Sequence, residues 1–147
     1  MSEPLFKADY LVTGMDFVAA GSAASHLKRT LMGFGLEQEI CRRAAIAAYE
    51  AEMNVVIHGG GGQMRFTLCN EQIVIEALDD GPGIPDVHLA MQEGFTTAGE
   101  EIREMGFGAG MGLPNINRCV SSLRIESFPG RGTHLTMKIF LDHHYPI

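Results

Sequence analysis

The sequence contains no tryptophan, only three cysteines, and fewer basic than acidic residues. Three scattered cysteines are too few, and odd in number, for a disulfide framework, which favours a reducing compartment. Eleven Lys and Arg against eighteen Asp and Glu give a formal net charge of −7, which disfavours binding to nucleic acid or anionic membranes. Because a run of about 18 apolar residues and a signal peptide are also lacking, the sequence predicts a soluble cytoplasmic protein.

The length and composition predict one folded domain spanning residues 1–147. Hydrophobic residues make up 46% of the chain, which is enough apolar material for a core of ordinary size. Six histidines are present, but none belongs to an HExxH motif or has a CxxC companion. We therefore expect mostly surface imidazoles rather than a histidine metal site.

Hydrophobic periodicity predicts the order β-α-α-β-β-α-loop-α-β-β. The predicted strands are 10–17, 64–69, 73–78, 123–128 and 133–141, and the predicted helices are 18–32, 37–58, 85–93 and 113–121. Short turns join the later strands in pairs, which favours a mostly antiparallel, mixed sheet with helices on one face. The fold class is thus an α+β two-layer sandwich, with a glycine-rich loop over 94–112.

The helix predicted over 37–58 carries two polar residues one turn apart, Glu50 and Asn54, beside an alanine-rich stripe expected to face the sheet. Polar groups next to a buried stripe need hydrogen bonds or a bound cation. A carboxamide oxygen of Asn54 suits Mg²⁺, and the Glu50 carboxylate can orient or deprotonate a hydroxyl. The same pair also occurs by chance on solvated helix faces, so it carries weight only together with other motifs.

A second motif, Asp79-Asp80-Gly81-Pro82-Gly83, follows the strand predicted over 73–78. A carboxylate at a strand end can accept a hydrogen bond from the exocyclic amine of a base, and nearby glycines let a flat ring approach bare backbone. Asp-Gly and Pro-Gly pairs also form simple tight turns, which is the alternative at this position.

The third motif, Gly106-Phe107-Gly108-Ala109-Gly110-Met111-Gly112-Leu113, directly precedes a predicted helix. Exposed N–H groups and the positive end of a helix dipole together favour a phosphate. No Gly-Lys-Ser/Thr ending is present, and no strand precedes the motif, so it is neither a Walker P-loop nor a Rossmann fingerprint. A plain flexible linker is the alternative.

A fourth motif, Gly130-Arg131-Gly132-Thr133, forms a predicted hairpin turn, and the order of all four motifs resembles the GHKL ATP-binding superfamily. In that comparison Glu50 to Asn54 matches the N box, Asp79 to Gly83 the first glycine box, Gly108 to Leu113 the second, and Gly130 to Thr133 the last. The resemblance covers about residues 10–141 and implies a Bergerat-type ATP-binding fold. ATP and Mg²⁺ are the implied cofactors.

Three phrases, at 80–86, 93–97 and 108–114, are similar to the anti-sigma-factor serine kinases and switch kinases of bacterial partner-switching systems. The resemblance implies that Glu50 is the catalytic base, Asn54 the Mg²⁺ ligand and Asp79 the adenine reader, with residues 95–112 as the ATP lid. If a lid cation contacts the γ-phosphate, it is either Arg103 or a residue from outside the lid. The residues implied to contact the nucleotide are Asn54, Asp79, Gly81, Gly83, Ile84, Thr96, Thr97, Gly108, Ala109, Gly110, Met111, Gly112, Leu113 and Thr133.

The expected function is therefore ATP-dependent phosphorylation of a serine on a STAS-type antagonist protein by a kinase that also acts as an anti-sigma factor. The alternative is a nucleotide-responsive protein that sequesters a sigma factor or activates a phosphatase with little kinase activity. A histidine-kinase domain is disfavoured, because a serine hydroxyl needs the carboxylate that Glu50 provides, whereas imidazole is already nucleophilic. The family also makes a homodimer plausible.

Overall fold

The computed structural model describes residues 3–16, 19–58, 60–83, 91, 112–128 and 130–142. Within those ranges the elements are β1 (Phe6–Thr13), α1 (Ser22–Gly33), α2 (Gln38–Ile57), β2 (Gly61–Leu68), β3 (Gln72–Asp79), α3 (Gly112–Cys119), β4 (Ser122–Phe128) and β5 (Gly132–Phe140). The strands form one sheet in the order β1-β2-β3-β5-β4, with every neighbouring pair antiparallel. The predicted α+β sandwich is confirmed.

The hydrophobic core lies between this sheet and the helices. Side chains alternate along a strand, so β2 buries Met64, Phe66 and Leu68 while their neighbours stay partly exposed. The predicted stripe of α2 is confirmed, since Ala44, Ala47, Ala51 and Val55 are all buried and Ile40 is half-buried against the same core. Small alanines let α2 pack closely on the sheet and on α1.

Helix α1 begins later than the sequence predicts, at Ser22 rather than residue 18. The preceding Gly21 has a φ of +93°, a left-handed conformation that glycine adopts without strain. The Glu52 carboxylate accepts hydrogen bonds from the backbone N–H groups of Gly21, at 2.9 Å, and Ala24, at 3.0 Å. The helix therefore begins where its first N–H groups meet an acceptor on α2, which satisfies groups that would otherwise be orphaned.

Two strand boundaries also differ from the prediction. Strand β1 occupies Phe6–Thr13 rather than 10–17, because it pairs along its whole length with β2, from Phe6 opposite Leu68 to Thr13 opposite Gly61. Strand β2 begins at Gly61 rather than Met64, because Gly61 and Gly62 pair with Thr13 and Val12 of β1. Apart from residues 91 and 112, the predicted helix at 85–93 and the predicted loop at 94–112 lie outside the described residues.

Helix α3 runs antiparallel to α2 and is held at its C-terminal end by Arg43. The Arg43 Nε donates a 2.7 Å hydrogen bond to the carbonyl oxygen of Cys119, the last residue of α3. A cation at this end of a helix also interacts favourably with the helix dipole. The helix ends at Cys119 rather than at the predicted residue 121, because Ser122 already belongs to β4.

The three cysteines, Cys41, Cys69 and Cys119, are buried and none is disulfide-bonded, as the sequence predicts. Burial raises the pKa of the Cys41 thiol. Among the helices of the described residues, none is both long and apolar enough to cross a membrane.

Candidate functional site

The two polar residues of the N box, Glu50 and Asn54, are half-buried on α2 and are met by the beginning of α3. A Cβ placed on Gly112, the first residue of α3, would lie only 3.2 Å from the Asn54 Oδ1 atom. Glycine therefore lets the helix begin close to the Asn54 carboxamide, where a Cβ would be crowded. The N box and the end of the second glycine box thus come together, as the resemblance implies.

The Glu50 carboxylate is bound to a residue that the sequence motifs did not indicate. Its Oε2 accepts a 2.6 Å hydrogen bond from the Asn115 Nδ2, and the Asn115 Oδ1 accepts a 2.7 Å bond from the Arg118 Nη2. Glu50 is thus not on a purely solvated helix face, which was the alternative for this pair. Because Asn115 follows Gly112 by three residues, it shares the helix face that meets α2, and that spacing is the one signal in the sequence.

Asp79 ends β3 and lies opposite Gly62 of β2 and Thr133 of β5. Its Oδ1 accepts a 2.9 Å hydrogen bond from the backbone N–H of Gly81. Partial burial raises the pKa of Asp79, and hydrogen bonds from the N–H groups of Gly81 and Thr133 oppose that rise. The carboxylate therefore sits in a partly desolvated position where an added hydrogen-bond donor would stabilise its charge.

The first and last glycine boxes are packed backbone to backbone. A Cβ on Gly132 would lie 2.1 Å from the Asp79 carbonyl oxygen, and one on Gly83 would lie 2.6 Å from the Phe128 carbonyl oxygen. The N–H of Gly130 donates a 2.8 Å hydrogen bond to the carbonyl oxygen of Pro82. These contacts leave no room for side chains, so the β4–β5 turn supports the segment after Asp79.

The hydroxyl of Thr133 lies beside this junction, with its Oγ1 3.1 Å from the Ser127 Oγ on β4. His58, the residue after α2, approaches Asp79 from the helix layer. Burial lowers the pKa of His58, and the nearby Asp79 carboxylate partly opposes this. His58 is an exception to the expectation of mostly surface imidazoles, because it is half-buried beside a predicted site residue.

Among the other predicted site residues, the structure describes Leu113 but not the rest. Leu113 is 6% exposed and packs in the core, so only its backbone is free to face a ligand. The predictions at Ile84, Thr96, Thr97, Arg103, Gly108, Ala109, Gly110 and Met111 lie outside the described residues.

The described part of the chain contains no cluster of three His, Cys, Asp or Glu side chains that could hold a metal ion. Mg²⁺, however, is commonly held by one or two protein oxygens together with the phosphates of a nucleotide. The Asn54 carboxamide, half-buried on α2 beside Gly112, can offer such an oxygen. With an aspartate at a glycine-lined strand end and a helix N-terminus nearby, this combination defines a nucleotide-binding α+β domain.

The chain belongs to the family of histidine kinase-, DNA gyrase B-, and HSP90-like ATPases, whose model matches residues 41–143. It is 31% identical over 129 residues to Serine/threonine-protein kinase RsbT of Bacillus subtilis (strain 168), which covers 85% of this chain and 89% of that relative. It is 37% identical over 100 residues to Anti-sigma F factor of Thermoanaerobacter sp. (strain X514), which covers 65% of this chain and 66% of that relative.

A solved structure gives the same fold. The structure of the RsbU and RsbW domains of Rv1364c from Mycobacterium tuberculosis superposes with a TM-score of 0.63 at 17% identity. The superposition covers 98% of this chain and 35% of that one. At this identity the likeness concerns the fold alone, and it agrees with the two-layer architecture predicted from the sequence.

Proposed function

We propose that this chain, acting as one domain, is an ATP-dependent serine-protein kinase and anti-sigma regulatory factor of a partner-switching module. Its substrate would be a serine on a STAS-type antagonist protein. The family match and the names of two relatives, a serine/threonine-protein kinase and an anti-sigma factor, support the class of activity. The observation that carries the proposal is the pair Glu50 and Asn54 on α2, both facing the beginning of α3.

In this proposal the adenine ring lies against the glycine-lined end of β3. The Asp79 carboxylate, which already accepts from the N–H groups of Gly81 and Thr133, would accept one further hydrogen bond from the exocyclic amine of the base. Gly83 and Thr133 lie beside this position and would complete its wall. The phosphates would extend toward the N-terminus of α3, where Gly112 and the helix dipole favour negative charge.

Mg²⁺ would be held by the Asn54 oxygen and by phosphate oxygens of ATP, and when bound it would neutralise charge on the transferred group. The protein itself contributes mainly by holding ATP and the acceptor serine in a reactive geometry. The serine oxygen forms a bond to the γ-phosphorus, the bond from that phosphorus to the β–γ bridging oxygen breaks, and ADP leaves. Glu50 accepts the proton that the serine hydroxyl loses.

The partners follow from the same resemblance. We propose a STAS-type antagonist as the phosphoryl acceptor and a sigma factor or a phosphatase as a second partner, with a homodimer as the assembly. The net charge of −7 argues against nucleic acid or a membrane surface as a partner. We place this module in the cytoplasm.

The test is phosphoryl transfer from radiolabelled ATP to purified STAS proteins, with ATP affinity measured in parallel by calorimetry. We expect transfer by the wild-type protein, and Glu50→Gln should abolish it while ATP affinity changes less than twofold. Glu39→Gln is the matched control, since Glu39 lies on the same helix, is exposed, and pairs with Arg42. ATP binding without transfer to any acceptor would instead support the alternative, a nucleotide-responsive protein that sequesters its partner.

A further inference from the structure

Three polar side chains form a continuous chain that ends at Glu50. Arg118 donates to the Asn115 Oδ1 at 2.7 Å, and the Asn115 Nδ2 donates to the Glu50 Oε2 at 2.6 Å. Glu50 and Asn115 are both half-buried, whereas Arg118 lies on the exposed side of α3. No motif of the sequence includes Asn115 or Arg118, so only this geometry indicates their role.

The arginine determines which way the carboxamide faces. A guanidinium can only donate hydrogen bonds, so it holds the carboxamide oxygen of Asn115 on its own side. The amide NH₂ is thereby directed at Glu50, whose ionised carboxylate can only accept. A hydrogen bond to a charged acceptor is stronger than one between neutral groups, so the contact restrains the Glu50 side chain.

Asn115 is itself held in place by the packing of α3 on α2. At the C-terminal end of α3, Arg43 binds the Cys119 carbonyl oxygen at 2.7 Å. At the N-terminal end, Gly112 lies against the Asn54 carboxamide. Because both ends of α3 are fixed, Asn115 between them offers Glu50 a partner of defined position.

We propose that Asn115 is a positioning residue for phosphoryl transfer and that Arg118 orients its carboxamide. By holding Oε2 of Glu50, Asn115 leaves the second carboxylate oxygen, Oε1, to receive the proton of the acceptor serine. This inference rests on the proposed function of Glu50 as the base. Misplacement of a catalytic group by about 1 Å can slow a reaction about a hundredfold, so a restraint of this kind has a measurable effect.

The first test replaces Asn115 by leucine, which has a similar size and lacks the donor. We expect kcat for transfer to fall about ten- to a hundredfold, with the KM for ATP changed less than twofold and the protein still folded under the assay conditions. Asn117→Leu is the matched control, because Asn117 is exposed on the same helix. A kcat for Asn115→Leu within twofold of the control would overturn the proposal, as would a fall in kcat that merely follows a loss of ATP affinity.

The second test concerns Arg118. Arg118→Met should lower kcat, and Arg118→Lys, which keeps a donating cation, should restore most of the loss. Equal losses in both variants would overturn the orienting role of Arg118.

The third test does not depend on transfer. A double-mutant cycle of Glu50→Leu and Asn115→Leu, followed by urea unfolding, should show that the two effects on stability are not additive. Additive effects would overturn the contact itself. If instead Glu50→Gln still transfers phosphate, the proposed function of Glu50 fails, whereas loss of transfer in Glu50→Gln with normal transfer in Asn115→Leu refutes the positioning role alone.

Discussion

Glu50 and Glu52 are two residues apart on α2 and face opposite neighbours. The Glu50 carboxylate accepts a hydrogen bond from Asn115 of α3, whereas the Glu52 carboxylate accepts bonds from backbone N–H groups at the start of α1. Positions two apart on a helix lie on nearly opposite faces, so one helix can hold a candidate base on one side and a structural cap on the other. Glu52 is only 3% exposed and Glu50 is half-buried.

This difference predicts that Glu52→Ala destabilises the protein. Removing the carboxylate leaves buried N–H groups of Gly21 and Ala24 without their acceptor, which should lower the free energy of unfolding by about 2–4 kcal/mol. Urea unfolding measures the change. Glu50→Gln serves as the comparison and should change stability by less than about 1 kcal/mol, since Gln can still accept from Asn115. Equal losses in the two variants would contradict the assignment.

Asp79→Asn should weaken ATP binding. If the carboxamide oxygen keeps the bond to the Gly81 N–H, the NH₂ group then faces the exocyclic amine of adenine, and two donors oppose each other. We expect a loss of affinity of about tenfold or more, measured by calorimetry, because an unpaired polar group costs about 1–3 kcal/mol. Asp80→Asn, at an exposed neighbour, is the control. Unchanged affinity in Asp79→Asn would contradict the role of Asp79 in adenine recognition.

The same substitution has a second consequence, for the protein without nucleotide. Burial raises the pKa of Asp79 in the folded state above the ordinary aspartate pKa of about 3.9. The stability that this group contributes is therefore present at low pH, and it is lost as the pH rises from the ordinary pKa through the raised folded pKa. Asp79→Asn removes that loss. We therefore expect the variant to be more stable than the wild type at pH 7 and to gain little or nothing below about pH 4, as measured by urea unfolding at both values.

His58 predicts a pH dependence of the opposite sign. Burial lowers its pKa in the folded state, so its contribution to stability is present above the ordinary value of about 6.5 and is lost as pH falls through the folded value. Replacing His58 by Gln should flatten the decline in unfolding free energy as pH is lowered from about 7.5 to 5. An identical slope in wild type and His58→Gln would refute the prediction.

The last hairpin turn offers a matched pair of glycines. Gly132 and Gly130 both have positive φ, but a Cβ on Gly132 would lie 2.1 Å from the Asp79 carbonyl oxygen, whereas one on Gly130 meets nothing within 4 Å. Gly132→Ala should cost more than about 3 kcal/mol of stability and reduce ATP affinity, because the backbone around Asp79 has to move. Gly130→Ala should cost about 1 kcal/mol, from conformational strain alone. Thermal unfolding measures the stability of both variants, and calorimetry measures their affinity for ATP.

The sequence predicts much of this fold because its main signals are local. The stripe from Ile40 to Val55 follows the helical period, and the alternation in β2 and β3 follows the strand period, so these elements are found near their true positions. The limits of β1 were wrong because they depend on pairing with β2, whose residues lie 48 to 62 positions further along the chain. Such a limit is a property of the partner strand and leaves no local trace.

For the candidate site too, residues in local motifs could be predicted and residues that depend on long-range contacts could not. Glu50, Asn54 and Asp79 are recognisable because each belongs to a motif of fixed spacing. Asn115 and Glu52 were missed because their contacts join residues 65 and 28 to 31 positions apart in the chain. A single sequence does not reveal which side chain of α3 meets α2, or that a glutamate of α2 meets the first turn of α1.

The three buried thiols give the protein built-in reporters of local opening. Cys41 lies on α2, Cys69 follows β2, and Cys119 ends α3, so each belongs to a different segment. A thiol-specific reagent in water can reach each one only when that segment separates from its neighbours. In a variant that keeps only Cys119, the rate of the thiol reaction would therefore measure how often α3, which carries Asn115, separates from its neighbours. Variants that keep only Cys41 or Cys69 would report motion in the other segments.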